Sequence, residues 1–123
     1  LIEACTDGHA SSARAIWSED ASACVVMASG GYPDAYDRGK VIHGIEAAEA
    51  LEGVEVFHAG TSRDGEGRWV TAGGRVLGVT AKAPSVEDAV RLAYDATAKI
   101  EWDGVHYRKD IGYRAIGREK EQR

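Results

Sequence analysis

In the stretch TAGGRVLGV, Gly73 and Gly74 strip two side chains from the backbone just ahead of Arg75. Peptide N–H groups at so bare a turn can meet an incoming anion while the guanidinium forks onto it, the chemistry of a phosphate or carboxylate cradle. A second reading needs no ligand: a tight hairpin that requires positive φ at its glycines, with Arg75 turned to solvent. A second basic cluster, HYRKDIGYR, sets Arg108 and Lys109 beside Asp110, where they either hold a phosphate or are neutralised locally. Of the four histidines His9, His43, His58 and His106, the last two sit beside features of interest. A single histidine on a strand is more often a structural residue than a base. There is no Walker A loop, nucleophile elbow, His-Glu-x-x-His or Cys/His set at ligand spacing, so no catalytic residue and no metal ligand is assigned.

The elements that must position these groups read mostly as strands. SACVVMAS, Ser22 to Ser29, is short, apolar and rich in small or β-branched residues, which suits a buried strand. VEVFHAG alternates Val54, Val56 and His58 against Glu55, Phe57 and Ala59, giving a strand with one wetter face. Asp64-Gly65 inside SRDGEGR marks a hairpin turn, and the segments from Trp69 to Ala81 continue the strand pattern with Leu77 and Val79 facing one way and Val76 and Thr80 the other. One helix is predicted from Val86 to about Lys99: Ser85 is its N-cap, Glu87 and Asp88 meet the positive end of its dipole, and Val86, Ala89, Val90, Ala93, Thr97 and Ile100 form its apolar stripe. The closing GREKEQR reads as a polar tail that frays. The order predicts an α+β domain, a small antiparallel sheet or partial barrel with one main packing helix.

The 123 residues, 44% of them hydrophobic, are enough for one domain with one modest core. A formal net charge of −5 makes neither nucleic acid nor an anionic membrane a natural partner. No apolar run is long enough to span a bilayer, and the expectation is a soluble, cytoplasmic protein. Cys5 and Cys24 are too few for a disulfide framework and read as buried thiols.

Four segments in order, ACTDGH, ACVVMASGGYPDAYDRGKVIHG, VFHAGTSRDGEGRWVTAGGRVLGVTA and SVEDAVRLAYDATAKIEWDGVHYRKDIGYRAI, resemble the C-terminal domain of the phosphoribosylamine-glycine ligases, the glycinamide ribonucleotide synthetases. The resemblance covers nearly the whole chain, Ala4 to about Glu119. It implies an ATP-grasp ligase with a rudiment single-hybrid-like C-terminal fold, in which residues 1–123 follow a nucleotide-fold domain and ATP-grasp domains absent from this sequence. The activity implied is a step of purine biosynthesis: ATP and Mg²⁺ (or Mn²⁺) serve to phosphorylate glycine, and the amine of 5-phosphoribosylamine attacks the glycyl phosphate. The fragment is then expected to be inactive alone, to pack on the ATP-grasp domain, and to help hold the phosphoribosyl substrate. Arg75 matches an arginine that related ATP-grasp enzymes place on the ligand phosphate, with Gly73 and Gly74 giving close backbone approach. SGGYP and FHAGT match family signatures, so Gly31, Tyr32, Pro33 and His58 join the candidate substrate-binding set, and Arg108 and Lys109 match basic positions that meet either substrate or a neighbouring domain. Two alternatives stand beside this reading: the C-terminal domain of another ATP-grasp purine ligase, and a non-catalytic interaction domain sharing the fold.

Overall fold

A computed structural model describes residues 1–122. In chain order its elements are helix α1 (Ile2–Thr6), strand β1 (Ala21–Ala28), helix α2 (Ile45–Glu49), strands β2 (Val54–His58), β3 (Thr61–Arg63), β4 (Trp69–Thr71) and β5 (Arg75–Ala83), then helices α3 (Val86–Thr97) and α4 (Tyr113–Glu121). A short 3₁₀ turn lies at Ala10–Ser12. The architecture is α+β, as the strand-then-helix order predicts.

The long strand β5 lies between β1 and β2 in an antiparallel three-stranded sheet, while β3 and β4 form a separate two-stranded ribbon. The Asp64 turn closes that ribbon: the Asp64 carboxylate accepts from the Glu66 and Arg68 amides at 2.9 Å each and from Arg68 Nε at 2.8 Å. The Arg68 amide is the first cause, with the Arg68 side chain adding to it, that the Asp64 carboxyl is held below the usual carboxylate range. Trp69 to Ala81 is thus not one hairpin. It is β4 and β5, which belong to different sheets and are parted by Ala72-Gly73-Gly74.

Alternation along β5 buries Leu77, Val79 and Ala81 against α3 and the core, but Val76, expected on the other face, is also fully buried. The cause is a bulge: Met27 pairs with Leu77 and the next residue, Ala28, with Arg75, so Val76 is an extra residue that the ladder skips. Helix α3 begins where its sequence dictates, with Ser85 Oγ accepting from the Asp88 amide at 3.1 Å. It buries Ala89, Val90, Ala93, Ala96 and Thr97. Trp102 and Ile100 complete the core beyond its end.

Two expectations are corrected. Cys5 and Cys24 are exposed, because Cys24 alternates onto the sheet face that α3 does not cover and Cys5 lies on a helix with no buried residue. The polar tail is helical as α4 up to Glu121, Arg123 lying outside the described residues, and its sequence hides a tertiary cap. Glu119 reaches across to accept from the Val86 and Glu87 amides at 3.0 and 3.3 Å, and Lys120 sits 3.6 Å from Glu87. Two of the orphan N–H groups of α3 are therefore satisfied from another helix. Glu119→Ala is expected to lower the stability of the domain by about 1 kcal/mol, the size of a lost N-cap. Urea denaturation of the two proteins measures it, and an unchanged midpoint would mean the cap contributes nothing.

Candidate functional site

The free face of the three-stranded sheet ends in a groove of about 530 Å³ lined by Val26, Tyr32, Phe57, His58, Ala59, Gly74, Arg75, Leu77 and Gly78. Its size falls in the range of small-molecule sites. Four of the candidates, Tyr32, His58, Gly74 and Arg75, come from three chain segments and meet here. Among the described residues no carboxylate lines it, in a chain whose acids outnumber its lysines and arginines.

The floor is built by close approach of glycines. A Cβ on Gly74 would lie 2.2 Å from the Tyr32 ring, and one on Gly60 would lie 2.8 Å from Gly73 Cα. Neither Gly73 nor Gly74 has φ in the left-handed region, so the hairpin reading of this turn fails. The glycines are there because two chain segments and an aromatic ring leave no room for a side chain. Gly60 also donates to the Arg75 carbonyl at 2.9 Å, and the Ala72 amide to the Gly60 carbonyl at 2.8 Å, which ties the start of β5 to the end of β2. Arg75 itself is exposed, and its guanidinium has no hydrogen bond or ion pair among the described residues.

SGGYP forms the wall. Tyr32 N–H closes the turn onto the Ser29 carbonyl at 3.2 Å, Gly31 takes φ of 93°, and the Tyr32–Pro33 peptide is cis. Gly31 and Pro33 shape this turn without lining the groove, whereas the Tyr32 ring covers Gly74. His58 does not bond to this turn. Its Nδ1 lies 3.0 Å from Thr61 Oγ1 and its ring stacks on Trp69 at 4.2 Å, with Arg63 over the same indole at 4.0 Å.

Arg108 and Lys109 are elsewhere. Arg108 forks onto Asp110 at 3.0 and 2.8 Å and lines a second groove with Gly112, Tyr113, Arg114 and Arg118, apart from Arg75. That fork is the first cause both of the raised Arg108 pKa and of the Asp110 carboxyl lying below its usual range. The local-neutralisation reading describes this pair. Ser29, absent from the candidate set, is buried beside the groove and donates to the Gly73 and Gly74 carbonyls. Its only signal was its place as the first residue of SGGYP. Among the described residues there is no group of three His, Cys, Asp or Glu side chains able to hold a metal ion, and no helix long and apolar enough to cross a membrane.

The fold and groove define a class: a small α+β domain whose glycine-lined sheet end carries an exposed guanidinium, that of Arg75, unpaired among the described residues. The chain belongs to the family described as phosphoribosylglycinamide synthetase, C domain, whose model matches residues 22–114. It is 50% identical over 117 residues to the chloroplastic phosphoribosylamine–glycine ligase of Arabidopsis thaliana, covering 94% of this chain and 22% of that protein. To the phosphoribosylamine–glycine ligase of Yersinia pestis it is 48% identical over 123 residues, covering 98% of this chain and 28% of that one. The crystal structure of phosphoribosylamine–glycine ligase from Thermotoga maritima is similar with a TM-score of 0.61 and 38% identity, over 71% of this chain and 20% of that chain. The chain thus spans about a quarter of the length of such relatives.

Proposed function

We propose that this chain is the C-terminal domain of a cytoplasmic phosphoribosylamine–glycine ligase and that its groove receives the phosphate of 5-phosphoribosylamine. The observation that carries this reading is the Arg75 guanidinium beside Gly74, unpaired and in a groove without carboxylates among the described residues. A guanidinium with no partner among the described residues is free to fork onto a phosphate. In this reading glycine, ATP and Mg²⁺ (or Mn²⁺) are held by upstream nucleotide-fold and ATP-grasp domains, and glycyl phosphate forms there. What this domain supplies is position and charge neutralisation for the phosphoribosyl group, while its amine attacks. Val26 and Phe57, exposed at 47% and 56% on either side of Gly78, support packing of the free sheet face on the ATP-grasp domain.

A titration of the chain with ribose 5-phosphate, followed by amide NMR, tests the phosphate site. Saturable shifts at Gly74 and Arg75 that are absent with ribose are the expected result. A flat response up to tens of millimolar would remove the site from this domain.

A further inference from the structure

Ser29 is one of three buried polar or charged residues among those described, at 2% exposure, and it makes three bonds from one position. Its Oγ–H donates to the Gly73 carbonyl at 2.7 Å, its N–H donates to the Gly74 carbonyl at 2.8 Å, and its own carbonyl accepts from Tyr32. One residue at the end of β1 therefore fastens both glycine-rich turns, the one that carries the Tyr32 wall and the one that precedes Arg75.

The bond to Gly73 has a directional consequence. The peptide joining Gly73 to Gly74 is planar and trans, so its C=O and N–H point to opposite sides. Drawing the Gly73 oxygen onto the buried hydroxyl turns the Gly74 N–H to the opposite side of that peptide. That amide donates to no acceptor among the described residues, and Gly74, itself buried beneath the Tyr32 ring, lines the groove next to Arg75. A peptide hydrogen held in this way is already oriented before a ligand arrives, and a donor that need not reorganise binds an anion better than one that must.

We infer that Ser29 is a positioning residue for the groove: its hydroxyl holds the Gly73–Gly74 peptide so that the Gly74 N–H donates to the same phosphate oxygens that Arg75 engages. The inference rests on the phosphate reading above, and it adds a backbone donor and the side chain that aims it. Ser29 itself touches no ligand. The chemical class the pair selects is a phosphomonoester dianion, whose several oxygens can accept from a guanidinium fork and a peptide N–H together.

The test is the ribose 5-phosphate titration repeated on Ser29→Ala and Ser29→Thr. Ser29→Ala keeps the backbone bond to Gly74 and loses only the hydroxyl. The expected result is a roughly tenfold weaker Kd, with the shift at the Gly74 amide largely lost and the shift at Arg75 Nε retained. Ser29→Thr restores both the affinity and the Gly74 shift. Should Ser29→Ala give a collapsed spectrum, Ser29→Cys, which fills the space with a weak donor, is read by the same criteria. A wild-type Kd with an intact Gly74 shift in the variant overturns the inference, and so does an equal loss at Gly74 and Arg75, which marks general loosening. If the wild-type chain itself gives no response, the phosphate reading fails first and the role of Ser29 with it.

Discussion

Arg75→Ala in the full ligase is expected to raise the KM for phosphoribosylamine about 10- to 150-fold, corresponding to about 1.5–3 kcal/mol for a hydrogen bond to a charged group. Among the described residues the guanidinium has no partner to leave unsatisfied, so the loss falls on the ligand and not on the fold. Glycine and ATP are bound elsewhere in this reading, and their KM values stay within about twofold. Arg75→Lys keeps the charge but not the planar fork, and it recovers only part of the loss. Steady-state kinetics with each substrate varied in turn decides the matter. An unaltered KM for phosphoribosylamine would remove Arg75 from the phosphate site, and a uniform rise for all three substrates would point to a displaced domain.

The second large effect is on stability. Gly31 sits at φ 93°, and a Cβ there would lie 2.1 Å from the Ala35 carbonyl oxygen, which is backbone and has nowhere to go. Gly31→Ala is expected to lower unfolding free energy by about 3 kcal/mol through strain and the forced shift of the turn. For a domain of this size that corresponds to a fall in Tm of roughly 10–20 °C. Because Tyr32 is the next residue and its ring covers Gly74, the variant that remains folded should also lose ribose 5-phosphate binding. A thermal midpoint within 2 °C or so of the wild type would show that the turn relaxes without cost.

What could be read from the sequence and what could not divides along physical lines. Helix α3 was legible to the residue at its start, since Ser85, Glu87 and Asp88 are local signals and the 3.6-residue stripe is strong. Strands β1 and β2 followed from small, β-branched and alternating residues. The bulge at Val76 was not legible, because alternation assumes an unbroken register and only the partner strand shows that a residue is skipped. Helix α4 was missed for a related reason: its residues are mostly polar with none buried, and the carboxylate that docks it finds its partners 33 and 32 residues earlier. In the groove, Arg75, Gly74, Tyr32 and His58 were named as candidates from motifs, and the fold brings them together. Ser29 was invisible in that role, because a serine after a strand ordinarily marks only a turn, and its link to Gly73 and Gly74 spans more than forty positions of sequence.

The strand order has a consequence for how the domain is made. The central strand β5 is the last of the five to be synthesised, and it alone pairs with both β1 and β2. Until Ala83 has left the ribosome, Ala21 has no partner, and the apolar run Val25-Val26-Met27 must wait as an unpaired strand. Contacts this distant in sequence form slowly, and exposed strands of this kind are where nascent chains associate wrongly. The arrival of β5 therefore sets the moment at which the sheet can close. The bulge, the Gly73-Gly74 turn and Arg75 all lie at its leading end, so the groove takes shape in the same step that completes the sheet.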